Sequence, residues 1–251
     1  MTPEQAQRYD RNIRVPLIGV EGQERILRSR VCVIGLGGLG SPAALYLAAA
    51  GVGSLVLVDR DRVELSNLQR QILHGTGFLG APKTDSAAAR LSDLSPDTSI
   101  TTHAVDVTLE NVAACLDGCD CVVDATDNFA TKYLVNDACV EADVPLATAG
   151  ILALSGQAMF VVPGRTPCLR CLVPEPPVDV PTTAEQGVLG AVPGVLGSIQ
   201  ALETLRWIAG AWSPPIGGGA VHSVDGESMR ITTLRVGRAP ECRCATHGGA
   251  H

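Results

Sequence analysis

The feature that most constrains this chain is the run Gly35-Leu36-Gly37-Gly38-Leu39-Gly40, set between an apolar stretch, Val31 to Ile34, and an Ala/Leu-rich stretch, Ser41 to Ala50. A short apolar run bounded by glycine reads as a buried parallel strand, and the following stretch as a helix that tolerates Pro42 in its first turn. Glycines at such a turn let backbone N–H groups approach phosphate oxygens closely, and the helix N-terminus adds partial positive charge at the same place. Ser54 to Val58 is a second strand ending at Asp59, 19 residues beyond Gly40, where a carboxylate can accept hydrogen bonds from ribose hydroxyls. The unit therefore predicts a nucleotide site. By itself the loop does not separate dinucleotide from ATP chemistry.

The pattern continues. Helices are expected at Lys83 to Leu94, Leu109 to Leu116 and Phe129 to Glu141, and strands at Ile100 to Val105, Cys121 to Asp124 and Val144 to Ala149. Alternation of this kind predicts a Rossmann-like, doubly wound α/β sheet that is mainly parallel. After Gly150 the character changes. Gln157 to Val162 reads as a strand free to run antiparallel, 163–186 as a loop excursion, Gly187 to Ala211 as a helix, 219–236 as two short strands, and the tail after Gly237 as irregular. Residues 1–30, with arginines at 8, 11, 14, 25, 28 and 30, read as a helical arm outside the sheet.

Composition supports this reading and excludes others. The chain has 251 residues, 46% apolar but only 3% aromatic, so its core is built from Ala, Val, Leu and Ile. A net charge of −7 without a basic block argues against a nucleic-acid surface. The charged opening residues do not read as a signal peptide and the apolar stretches are cut by glycine, so a cytoplasmic protein is expected. Nine cysteines, an odd count, suit reduced thiols or a metal site better than a disulfide framework.

Beyond Asp59 runs a dense polar block that a dehydrogenase has no evident need for. The glycine loop, Asp59, Ser66-Asn67-Leu68-Gln69-Arg70-Gln71, Pro82-Lys83 and Asp124-Ala125-Thr126-Asp127-Asn128 together resemble the ThiF/MoeB/HesA family, bacterial relatives of ubiquitin-activating enzymes. The likeness runs from Arg8-Tyr9-Asp10-Arg11 to the terminal cysteines, and its wording is nearest the ThiF branch. It implies a single adenylation domain over 1–251, with a nucleotide-binding half at 31–150 and a carrier-binding half at 151–251 that includes a crossover loop at 172–190 and a cysteine tail. It also implies adenylyltransferase activity: a ubiquitin-like sulfur carrier ending in Gly-Gly offers its carboxylate to the α-phosphate of MgATP, giving an acyl-adenylate and pyrophosphate. Because two anions must meet while charge accumulates on the leaving pyrophosphate, cations must be preplaced.

By the same resemblance Gly35, Gly37, Gly38, Gly40 and Asp59 hold the nucleotide. Arg70 and Lys83, with Asn67 beside them, bind the triphosphate, and Asp127 is the carboxylate linked to Mg2+, a hard ion that prefers oxygen ligands. Arg11 matches an arginine that reaches the γ-phosphate of a neighbouring subunit, which implies a homodimer. Taken singly these residues have ordinary readings as surface charges or, for Asp127-Asn128, a helix cap.

Cys168-Leu169-Arg170-Cys171 has the spacing that lets two thiolates meet one tetrahedral ion. The resemblance implies a structural Zn2+ completed by a second Cys-x-x-Cys, but here the tail reads Cys242-Arg243-Cys244. Cys242 and Cys244 on a tighter loop, Cys244 with His247, or a degenerate site are three readings, the first favoured. Cys32, Cys115, Cys119, Cys121 and Cys139 read as small buried hydrophobes. The position at which relatives carry a nucleophilic cysteine falls on Thr183, and no cysteine occurs within 172–190. The chemistry is therefore expected to stop at the acyl-adenylate and leave sulfur to a separate donor. The rival readings are an NAD-dependent oxidoreductase on the same loop and an ATP-dependent cyclase of tRNA-linked threonine. The carrier and its pathway, whether thiamine, molybdopterin or another sulfur-containing metabolite, are not legible in the sequence.

Overall fold

The structure is a computed structural model that describes residues 1–177, 181, 183–213 and 219–246. Three helices, α1 (Pro3–Arg8), α2 (Asp10–Ile13) and α3 (Gly19–Arg28), form the arm. Thr2 and Gln5 close a capping box on α1. Tyr9, 2% exposed, seats the arm against Gly51, where a Cβ would lie 2.5 Å from the ring.

The nucleotide-type unit follows: β1 (Arg30–Ile34), α4 (Gly40–Ala49), β2 (Ser54–Val58), α5 (Lys83–Leu94), β3 (Ser99–His103), α6 (Val112–Leu116), β4 (Cys121–Asp124), α7 (Phe129–Glu141) and β5 (Leu146–Leu152). Then come β6 (Ser155–Val161), two single turns α8 (Leu169–Leu172) and α9 (Thr183–Gln186), the long α10 (Ala191–Ile208), the pair β7 (Gly219–Asp225) and β8 (Arg230–Val236), and a last turn α11 (Arg243–Thr246). One sheet has the order β3-β2-β1-β4-β5-β6-β7-β8. The pairs from β3 to β5 are parallel and those from β5 to β8 antiparallel.

The strands alternate their side chains between two cores. Val31, Val33, Leu55, Leu57, Cys121 and Val123 join α4, α5 and α10 on one face. Cys32, Ile34, Val56, Val58 and Val122 join α6 and α7 on the other. This is the doubly wound sheet expected. The five lone cysteines are buried in these cores, apart from the terminal thiols. A Cβ on Gly197 of α10 would meet the Leu39 carbonyl and the Pro42 ring, so a small residue there lets α10 lie close on α4.

Several expected boundaries move, each for a tertiary reason. The helix expected from Gly187 begins at Ala191, because Val188 bridges to Ala153 beside β5 and Gly187 has φ +75°. The last parallel strand runs on to Leu152 because β6 pairs with it through to Leu152↔Ser155. The expected loop at 163–186 contains the turns α8 and α9, and the irregular tail contains α11.

Candidate active site

The glycine loop follows β1, Asp59 ends β2 and Asp127 follows β4. Since β1 lies between β2 and β4, these three chain segments meet at the C-terminal edge where the connections part to opposite faces. A cleft of about 1010 Å3 opens there, lined by Gly35, Gly37, Gly38, Asp59, Arg70, Lys83 and Asp127 from the expected set. It continues along Thr148 to Leu152 of β5, Gln157 of β6 and Ser223 of β7, and reaches Pro181 and Thr183 of the crossover segment.

The loop glycines do different work. Gly35 has φ +89°, and a Cβ would lie 2.7 Å from the Ala125 carbonyl, so only glycine fits where the chain leaving β1 passes the chain leaving β4. Gly40 does not line the cleft; it packs on the Gly35 carbonyl, where a Cβ cannot be placed. Gly37 and Gly38 face the cleft, and their N–H groups donate to no partner among the described residues. These are the donors available to a phosphate. Gly35→Ala is therefore expected to cost about 1–3 kcal/mol of stability. Gly37→Ala, whose Cβ would meet only Gln71 Nε2 at 3.6 Å, should melt like the parent yet bind ATP more weakly. Thermal melts and titration calorimetry on the two variants check this; equal ATP affinity in Gly37→Ala contradicts it.

The charged residues are arranged by their neighbours. Asp59 Oδ2 accepts the Leu36 N–H at 2.7 Å and Oδ1 the Asp61 N–H at 2.8 Å, so this carboxylate also braces the loop. The Lys83 side chain, 5% exposed, donates to Asp61 Oδ2 at 2.8 Å. Arg70 donates to the Ser66 carbonyl at 3.2 Å and to Asn67 Oδ1 at 3.1 Å. Asn67 thus supports Arg70 rather than lining the cleft itself. Asn128, not Asp127, caps α7 by accepting the Thr131 N–H at 2.9 Å. Asp127 is exposed at the cleft and has no side-chain partner among the described residues. Arg11, on α2, has an 88% exposed side chain 3.9 Å from Asp10 and lies away from its own chain's cleft.

Beneath the cleft lies a network that sequence reasoning left out. Asp124, fully buried, accepts from Lys132 Nζ at 3.1 Å, Thr148 Oγ1 at 2.6 Å and Thr126 Oγ1 at 2.7 Å. Lys132 also donates to the Ala149 carbonyl at 2.5 Å, and Gln200 to the Asp124 carbonyl at 2.7 Å. A lysine on the mainly apolar α7 was the available signal, since a buried charge demands a partner. Gln71, 4% exposed, also lines the cleft and leaves Oε1 without a partner among the described residues.

Beside the C-terminal half of α7 the two thiols of the α8 turn and the two of the tail converge. All four Sγ atoms of Cys168, Cys171, Cys242 and Cys244 lie within 4.8 Å of one another, with Cys168–Cys242 at 3.5 Å and Cys171–Cys244 at 3.3 Å. Tetrahedral zinc with Zn–S of about 2.3 Å needs S···S of about 3.8 Å. The Cys-x-Cys spacing therefore does not keep the second pair from the first; His247 lies outside the described residues. Burial pushes the pKa of the Cys168 thiol up to about 11, a cost that a bound cation would offset. Asn136 Oδ1 accepts the Leu169 N–H at 2.9 Å, Arg170 pairs with Asp137 at 2.7 Å, and the Tyr133 hydroxyl donates to the Val173 carbonyl at 2.7 Å. One helix, α7, therefore starts at the cleft and carries the thiol knuckle on its side.

Fold and site define an α/β protein with a nucleotide cleft at its sheet crossover and a four-thiol knuckle. The chain matches the ThiF family over residues 9–246 and belongs to it. It is 44% identical over 247 residues to the SAMP-activating enzyme E1 of Haloferax volcanii, covering 98% of this chain and 90% of that one. It is also 44% identical over 248 residues to the sulfur carrier protein adenylyltransferase of Thermus thermophilus, covering 96% and 91%. Against the adenylyltransferase and sulfurtransferase MOCS3 of Culex quinquefasciatus identity is 43%, and the chain spans about half of that protein, 54%. Among solved structures, E. coli MccB with ATP superposes with a TM-score of 0.82 at 23% identity, covering 98% of this chain and 77% of that one, a likeness of fold. Among the described residues no helix is long and apolar enough to cross a membrane.

Proposed function

We propose that this protein is an adenylyltransferase that activates the C-terminal Gly-Gly carboxylate of a ubiquitin-like sulfur carrier, converting it with ATP to an acyl-adenylate and pyrophosphate. The observation that carries the reading is the convergence of Arg70, Lys83 and Asp127 on the cleft that the glycine loop and Asp59 line. The 44% identical relatives named for such activation support the substrate class and favour a carrier over the tRNA-linked threonine of the cyclase reading, which shares this superfamily; family membership argues against the oxidoreductase.

In this reading Gly37 and Gly38 receive the phosphates and Asp59 the ribose. Arg70 and Lys83 offset the charge that builds on the departing pyrophosphate, and the carrier tail enters along β5 to β7. Asp127 is the residue to hold Mg2+, which supplies further charge neutralisation on the phosphates when bound. Cys168, Cys171, Cys242 and Cys244 hold a structural zinc. Arg11, turned away from its own cleft, serves the site of a second copy in a homodimer. Thr183 lines the cleft, and a hydroxyl is a weaker nucleophile than a thiolate, so the carrier is released as adenylate to a separate sulfur donor in the cytoplasm.

The test is ATP–pyrophosphate exchange with Gly-Gly carriers. Exchange should require the carrier and disappear when its terminal glycine is removed; exchange with no carrier would sink the assignment. Intact-mass analysis should show no enzyme–carrier adduct that a reductant cleaves.

A further inference from the structure

His74 has no part in the chemistry above, yet it is 9% exposed and lies under the glycine loop. Its Nε2 is 2.9 Å from the Leu36 carbonyl oxygen and its Nδ1 3.0 Å from Ser86 Oγ, which is itself buried on α5. A carbonyl only accepts, so Nε2 must carry the proton, and Nδ1 takes the Ser86 hydroxyl hydrogen. Burial keeps the ring from charging, and neighbouring Lys83 acts the same way, against the Leu36 hydrogen bond and Asp59. Leu36 is thereby pinned at both ends, its N–H on Asp59 Oδ2 at 2.7 Å and its carbonyl on His74, with Ser41 Oγ a longer second donor at 3.5 Å.

The consequence lies in the peptide plane. The Leu36 carbonyl and the Gly37 N–H belong to one trans peptide and point in opposite directions. Drawing the carbonyl inward to His74 turns the Gly37 N–H outward, into the cleft that Gly37 lines and where it has no partner among the described residues. A Leu36 carbonyl left with only the long Ser41 contact could flip outward and present an acceptor to phosphate, which repels it. We infer that His74, as the neutral Nε2–H tautomer that the Leu36 carbonyl selects and Ser86 accommodates, is a positioning residue that locks the Leu36–Gly37 peptide with its N–H aimed at a nucleotide phosphate. This rests on the glycine loop holding ATP, as proposed above.

The full-length protein and two variants test it. His74→Phe keeps a ring and loses both polar contacts; His74→Gln keeps a donor for Leu36 and an acceptor for Ser86. Calorimetric titration with ATP should show His74→Phe weaker by about tenfold, the scale of one lost positioned hydrogen bond, and His74→Gln restored to within about threefold. In pyrophosphate exchange KM for ATP should rise while KM for the carrier stays. Nitrogen-15 NMR of the free protein should show Nε2 protonated and Nδ1 bare, a readout that needs no variant to fold. Wild-type ATP affinity in a folded His74→Phe, or an Nδ1–H tautomer, overturns the inference. Wild type that binds ATP without carrier-dependent exchange counts against the carrier reading alone.

Discussion

Lys83→Met is expected to lower kcat/KM for carrier adenylation by about 10²–10³-fold while leaving the fold intact. The rate term follows from removing one preplaced cation from a low-dielectric cleft where charge develops on phosphate, worth roughly 3–4 kcal/mol. The stability term follows from what the substitution leaves behind. Lys83 is buried, but its partner Asp61 has a 53% exposed side chain and can be solvated once the lysine is gone. The methionine stem keeps the packing of the lysine chain. Lys132 differs although it too is a buried lysine on a carboxylate, because its partner Asp124 is fully buried and cannot be solvated. Steady-state exchange kinetics beside a thermal melt check the prediction. A variant with native kcat/KM would remove Lys83 from the site, and one that fails to fold would make it structural.

The second large effect is expected from loss of the metal proposed for the four thiols. The purified protein should contain about one zinc per chain, and Cys244→Ser or a strong chelator should lower its stability on the order of 5 kcal/mol. That is part of the roughly 10–16 kcal/mol available where a fold depends wholly on zinc. The reduction is smaller here because α8 keeps independent ties: Asn136 to Leu169, Asp137 to Arg170 and Tyr133 to Val173. Among the described residues the tail is tied by the Gly164 N–H to the Cys244 carbonyl at 3.1 Å and by Arg238 on the Gly164 carbonyl, both to the same residue. Hydrogen exchange should therefore rise first in residues 238–246, and the melting temperature should fall by roughly 10–20 °C. Metal-free protein with full stability and no response to chelator would contradict the zinc assignment.

The sheet class was legible because its signal is local. Val31 to Ile34, Ser54 to Val58 and Cys121 to Asp124 are short apolar runs closed by glycine or aspartate, and a strand buried on both faces has little other composition available to it. The parts of the cleft fall at the ends of those same strands, so Gly37, Asp59 and Asp127 could be placed before any contact was known. Boundaries set by pairing between distant segments were not legible. Nothing local distinguishes Gly187 to Gly190 from the helix that follows; the bridge from Val188 to Ala153 decides it.

The glycine loop, the charges after it and the Cys-x-x-Cys spacing belong to the sequence alone, and they determined the fold class and the candidate chemistry. Tertiary structure decided which of those residues face the cleft. It assigned Gly40 and Asn67 to support and separated Asp127 from the capping role of Asn128. It brought the irregular Cys242-Arg243-Cys244 onto Cys168 and Cys171, and placed Lys132 in the cleft wall and His74 under the glycine loop. The reason is physical: spacing along the chain sets what a turn can present, whereas burial and hydrogen-bond satisfaction depend on partners tens of residues away. His74 meets Leu36 across 38 residues, and Gln200 meets Asp124 across 76.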